Sequence, residues 1–160
     1  MQKLVVAVSF LASLSGVSAG QCSVLYQLED MSLCQLQLPF SPYLNYGCVC
    51  SNIAPNKPVD NIDRCCQVHD TCYNKAIKSN VCKNKNAPFY CVYSWSCNRH
   101  KIVCKDSCPC LQQTCECDRK LIECLSKYSY PSHSRKCPAS HHNIVATPWM
   151  VNVSEVEPPK

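Results

Sequence analysis

The sequence predicts a mainly α, disulfide-rich domain: two long antiparallel helices stapled by disulfides, a short N-terminal helix and a small β-hairpin wing. Three observations predict it. Seventeen cysteines in 160 residues indicate a disulfide framework in an oxidising compartment. Apolar residues recur at helical spacing in separate segments. Cys65 and Cys72 are seven residues apart, and so are Cys117 and Cys124. Seven residues is nearly two helical turns, so each pair sits on one stripe of its helix. That spacing permits two antiparallel helices bridged at two rungs, 65 to 124 and 72 to 117.

Residues 1–19 read as a secretory signal peptide, cut after 19 or 20. Lys3 supplies the charge, Leu4 to Leu14 is apolar except at Ser9 and Ser13, and Val17-Ser18-Ala19 offers a cleavage site. The apolar run is too short to span a bilayer. All the cysteines lie beyond the cut, and the expected location is secreted and extracellular. There a disulfide reading of Cys108-Pro-Cys and Cys115-Glu-Cys outweighs a zinc reading. An odd number of cysteines leaves at least one unpaired, which opens a disulfide-linked dimer through that residue.

The domain itself is expected over 20–137. Val24, Leu28 and Met31 repeat at helical spacing and predict a short amphipathic helix over 24–33. Pro39 and Pro42 mark the following loop, and 47–59 is irregular, with Pro55 and Pro58 inside it. Asp60 caps the first long helix, with Asp63 in its first turn. Ile62, Cys66, His69, Tyr73 and Ala76 form its inward stripe. Asn84, Asn86 and Pro88 predict a loop, and Tyr93 to Cys104 a hairpin. Leu111, Cys115, Asp118, Ile122 and Leu125 predict the second long helix. Residues 138–160 form a proline-rich C-terminal tail with an N-glycosylation acceptor at Asn152.

The chain carries a net charge of +5, one less once Lys3 leaves with the leader. Lys75, Lys78, Lys83 and Lys85 hold much of the positive charge. Such a patch attracts anionic membranes or polyanions, although a solvated face is the commoner meaning. No motif points to nucleic acid.

The chemistry concentrates in Cys65-Cys-Gln-Val-His-Asp-Thr-Cys-Tyr73. With the two rungs in place, His69 lies between them and Asp118 beside one. A carboxylate bonded to an imidazole fixes its tautomer and stabilises its protonated form, and the other ring nitrogen can take a proton from water. Asp70 faces the neighbouring side, where a carboxylate can hold a hard cation. Tyr73 and Tyr93 are candidate hydrogen-bond donors to Asp118.

Tyr46-Gly-Cys-Val-Cys, Pro58-Val-Asp60, Asp63-Arg-Cys-Cys-Gln-Val-His-Asp-Thr-Cys-Tyr73 and Cys115-Glu-Cys-Asp-Arg119 with Cys124 resemble the secreted phospholipase A2 family. The resemblance runs from about Val24 to Cys137. It implies a calcium-dependent hydrolase of the sn-2 ester of glycerophospholipids, acting in lipid degradation at membrane surfaces or micelles, with anionic ones preferred. It implies His69 as the base, Asp118 as its orienting partner, and Tyr73 and Tyr93 as donors to Asp118. One Ca2+ would rest on Asp70 and the backbone carbonyls of Val49, Ser51 and Ile53, with the Ser51 N–H facing the oxyanion. The family's pancreatic and elapid-type disulfide set implies 34–97, 48–137, 50–66, 65–124, 72–117, 82–110 and 104–115. Cys22, Cys91 and Cys108 are left unassigned.

One stretch departs from the family pattern. Its calcium loop has the form Tyr-Gly-Cys-x-Cys-Gly-x-Gly-Gly-x-Gly, and here it is Tyr46-Gly-Cys-Val-Cys-Ser-Asn-Ile-Ala-Pro-Asn56. Of those glycines only Gly47 remains. A β-branched Ile53 at positive φ is an outlier, and Pro55 fixes φ and removes a donor. The substitutions predict either a different loop path with weak calcium binding or loss of the metal, and lowered activity in both cases. The alternative to an enzyme is a catalytically impaired module of the same fold that binds lipid, a receptor or matrix.

Overall fold

A computed structural model describes residues 24–53 and 57–138. The signal peptide, Cys22, Pro55 and Asn152, with the tail from 139 onward, lie outside the described residues. Four helices and one two-stranded sheet are described: α1 (Val24–Gln35), α2 (Asn61–Lys78), α3 (Ala87–Tyr90), β1 (Trp95–Asn98), β2 (Lys101–Cys104) and α4 (Pro109–Leu125), with a 3-10 turn at Ser41–Tyr43. No helix among them is long and apolar enough to cross a membrane.

Helix α2 begins where an extended Asp60 accepts the Asp63 N–H on its side chain at 3.0 Å. That bond satisfies one of the first-turn donors that a helix leaves open. Lys75 and Lys78 fall in the last turn, where the helix dipole favours cations. Helix α4 runs back along α2. The direction follows from the bridges, because the earlier cysteine of α2 meets the later one of α4: Cys65–Cys124 and Cys72–Cys117, both with Cα atoms 5.7 Å apart. The other disulfides are Cys34–Cys97, Cys48–Cys137, Cys50–Cys66, Cys82–Cys110 and Cys104–Cys115. These seven pairs are the ones the family resemblance implies. Cys91 is half-buried and Cys108 exposed, both as free thiols.

The core forms where α1 meets the α2–α4 pair. Leu28 and Met31 of α1 pack with Leu121, Ile122 and Leu125 of α4 and with Phe40 and Tyr43 from the connecting turn. Ala76, Cys82 and Cys110 make a smaller cluster at the far end of α2, with Ile77 and Ala87 against it.

The wing is shorter than the hairpin expected from Tyr93 onward. It pairs Trp95 with Cys104 and Asn98 with Lys101. Arg99 and His100 both have positive φ, 48° and 61°, which matches the right-handed twist of the strands. Ile102 is its buried residue. Within the loop expected over 84–88, Ala87–Tyr90 forms one helical turn with Pro88 near its start. Four residues carry no readable period, and proline is tolerated in a first turn.

The segment before α2 is tied down from both sides. Gly47 N–H donates to the Arg135 carbonyl at 2.7 Å, and Gly47 bridges Lys136. Tyr46 OH donates to Asp60 at 2.6 Å, and Arg135 approaches the same oxygen at 3.2 Å. Burial and this bond push the Tyr46 hydroxyl up to about 12.

For Asp60, burial alone would raise the carboxyl, but the Asp63 N–H, Tyr46 and Arg135 outweigh it and hold it below its usual 3.8. A depressed folded value means stability that is present above the unfolded value and lost as pH falls through the folded one. Asp60→Asn keeps a capping side chain and removes the charge. We expect it to lower unfolding free energy by about 1 kcal/mol at pH 6, with the difference from the parent vanishing as melting curves are taken from pH 4 towards pH 2.

Candidate active site

His69 and Tyr73 are one helical turn apart on α2 and both face α4. Asp118 of α4 meets them with no exposed surface. His69 Nε2 lies 2.6 Å from Asp118 Oδ1, and Tyr73 OH donates to the same oxygen at 2.6 Å. Tyr93 OH donates to Oδ2. A carboxylate only accepts, so Nε2 carries the proton in this pair. No described residue bonds Nδ1, which is left as the basic nitrogen. The His69 side chain is 12% exposed. Its ring packs on that of Tyr73 at 4.4 Å between centroids, and Phe89 of α3 stands edge-on to Tyr73 at 5.4 Å.

Both tyrosines are held as neutral donors. Burial comes first, then the Asp118 charge and hydrogen bond, and together these raise the Tyr73 and Tyr93 hydroxyls well above their usual range. Gln27 of α1 fixes Tyr93 from behind. Its side chain donates to the Tyr93 carbonyl at 2.8 Å and accepts from the Tyr93 N–H at 3.4 Å.

His69 and Asp70 open onto an apolar pocket lined by Leu25 and Leu28 of α1, Phe40, Tyr43, Phe89 and Leu121. Asp70 is half-buried there. Desolvation raises its carboxyl; His69 partly offsets the rise and Asp63 adds to it. No described group donates to Asp70. An acceptor in that condition suits a hard cation, which takes oxygen ligands. Among the described residues no cluster of three His, Cys, Asp or Glu surrounds it.

The family resemblance assigns the further ligands to backbone carbonyls of the segment after Gly47. Val49 is buried and Ser51 and Ile53 are half-buried. Asn52 N–H donates to the Val49 carbonyl at 2.9 Å and Ile53 N–H to the Cys48 carbonyl at 2.7 Å. A carbonyl has two lone pairs, so Val49 keeps one. The positive φ expected at Ile53 falls instead on Asn52, at 52°, a residue type that tolerates it. The oxygen-only donor set fits Ca2+ in chemistry. The Ser51 N–H has no described acceptor.

The sequence marks Asp63 only as a first-turn acid of α2. In the structure it is fully buried and accepts the N–H groups of Cys48, Val49, Cys50 and Val59 at 2.9–3.0 Å. The signal was available. Residue 63 lies three before Cys66 and seven before Asp70, on the inward side of α2, and a carboxylate there requires donors.

Residues 25–135 match the sequence profile of phospholipase A2. The chain is 39% identical over 113 residues to basic phospholipase A2 nigroxin A of Micrurus nigrocinctus, covering 70% of this chain and 92% of that protein. It is 38% identical over 128 residues to a phospholipase A2 of Bos taurus, covering 75% and 88%. It is 37% identical over 108 residues to acidic phospholipase A2 E of Naja oxiana, covering 66% and 87%.

Tyr73→Phe and Tyr93→Phe each remove one donor from a buried charge. Each is expected to lower unfolding free energy by about 1.5–3 kcal/mol. Urea denaturation should show the double variant losing more than the sum, because His69 is then the last donor to Asp118 among the described residues.

Proposed function

The chain belongs to the phospholipase A2 family, and on that premise we propose that it is a secreted, calcium-dependent hydrolase of the sn-2 ester of glycerophospholipids, working at lipid surfaces. The observation that carries this reading is the His69–Asp118 bond at the edge of an apolar pocket, with Nδ1 unbonded among the described residues.

In this reading His69 Nδ1 takes a proton from a water molecule as its oxygen attacks the ester carbonyl. Asp118 stabilises the imidazolium that results and keeps the ring in place. Tyr73 and Tyr93 hold Asp118 oriented through their hydrogen bonds. The imidazolium then returns the proton to the departing glycerol oxygen. Leu25, Leu28 and Phe89 line the path for an acyl chain, and the Ser51 N–H is the backbone donor for the developing oxyanion. Asp70 and the carbonyls of Val49, Ser51 and Ile53 would hold Ca2+, which when bound supplies Lewis-acid polarisation of the carbonyl and a counter-charge for the phosphate.

The test is release of sn-2 fatty acid from mixed anionic phospholipid vesicles. We expect turnover in millimolar calcium, its loss in chelator, and a fall of at least about a thousandfold in His69→Gln. Equal, near-zero rates in parent, chelated parent and variant, all shown to be folded, would favour a lipid- or receptor-binding module of the same fold.

A further inference from the structure

Asp63 combines full burial with no ion pair among the described residues. A buried carboxylate in that position depends on hydrogen-bond donors to replace water. Here they are backbone amides: Oδ1 takes Val49 and Cys50, and Oδ2 takes Cys48 and Val59. Three consecutive N–H groups can converge on one anion only if the chain curves around it. Gly47 opens that curve at φ 61°. A Cβ there would sit 2.3 Å from the Asp63 carboxyl carbon. The one glycine that this loop keeps is therefore the one the carboxylate requires.

We propose that Asp63 is a positioning residue for residues 47–53, setting the path that the family's other glycines are absent to set. It touches no substrate and acts through the loop. Asp63, His69 and Asp70 share one helix, with Asp63 and Asp70 about 10 Å apart along its axis. Clamping the loop to Asp63 therefore references the Val49, Ser51 and Ile53 carbonyls and the Ser51 N–H to the same rigid element that carries the base and the cation carboxylate. The claim about the cation rests on the function proposed above; the claim about the loop does not.

The experiment uses the full secreted chain, amide hydrogen exchange, and calorimetric titration with calcium chloride. In the parent, the amides of Cys48, Val49 and Cys50 should be protected despite lying outside helix and strand. Asp63→Asn puts an NH2 donor against N–H groups. It should speed exchange of those amides by at least about a hundredfold while α4 amides keep their protection. It should also raise the calcium dissociation constant at least about tenfold with Asp70 untouched. A merely structural role would lower the unfolding midpoint and leave the calcium constant at the parent's value well below that midpoint; this outcome overturns the proposal. If Asp63→Asn does not fold, Gly47→Ala forces the loop off the same carboxylate and should give the same two changes. Unprotected amides at 48–50 in the parent overturn the proposal without any variant. A parent that binds no calcium, yet has 48–50 amides released by Asp63→Asn, removes the calcium reading and leaves the loop anchor standing.

Discussion

Asp118 is a charge with no exposed surface, and burying it is stable only because three donors converge on it. Two come from α2 and one from the segment leading into the wing. For His69 and Tyr73 to reach it together, α2 and α4 must lie at one register. The Cys65–Cys124 and Cys72–Cys117 bridges hold that register on either side of the same level. Tyr93 can contribute only if its backbone is held, and Gln27 of α1 holds it. Four chain segments are thus placed by one carboxylate. The same convergence fixes the tautomer of the imidazole, with its proton on Nε2.

Asp63 and Asp70 complete a set of three carboxylates that burial treats differently. Asp118 is satisfied by side chains and Asp63 by backbone amides. Asp70, half-buried in the pocket, has no described donor, and desolvation raises its carboxyl. The first two organise structure around themselves, one fixing the histidine and the other the loop. The third organises nothing among the described residues. A carboxylate without a donor loses least when a cation arrives, because no internal hydrogen bond has to be broken first.

Much of α2 and α4 was legible because their signals are local. The Asp60 cap, the stripe through Cys66, Tyr73 and Ala76, and the paired seven-residue cysteine spacings all lie within one helix each. Helix α3 was not legible: a four-residue turn has no period, and Asn84, Asn86 and Pro88 signal a loop equally well. The depth of Asp63 was missed because an acid in a first turn already has a local explanation in the helix dipole. The loop after Gly47 differs from its sequence pattern in one particular. The glycine pattern places strain at Ile53, whereas the chain turns at Asn52 and hangs from Asp63.

The amino-acid sequence by itself determined the helix pair, the residues able to staple it, and the acid–base groups the helices carry. Each of these follows from spacing along a few turns of chain, where geometry is set by the backbone itself. Only the tertiary structure decided which carboxylates are buried, which donors satisfy them, and where the 47–53 loop runs. Those outcomes depend on donors arriving together from distant segments, such as Gln27 and Tyr93, 66 residues apart, and no local pattern encodes such a meeting.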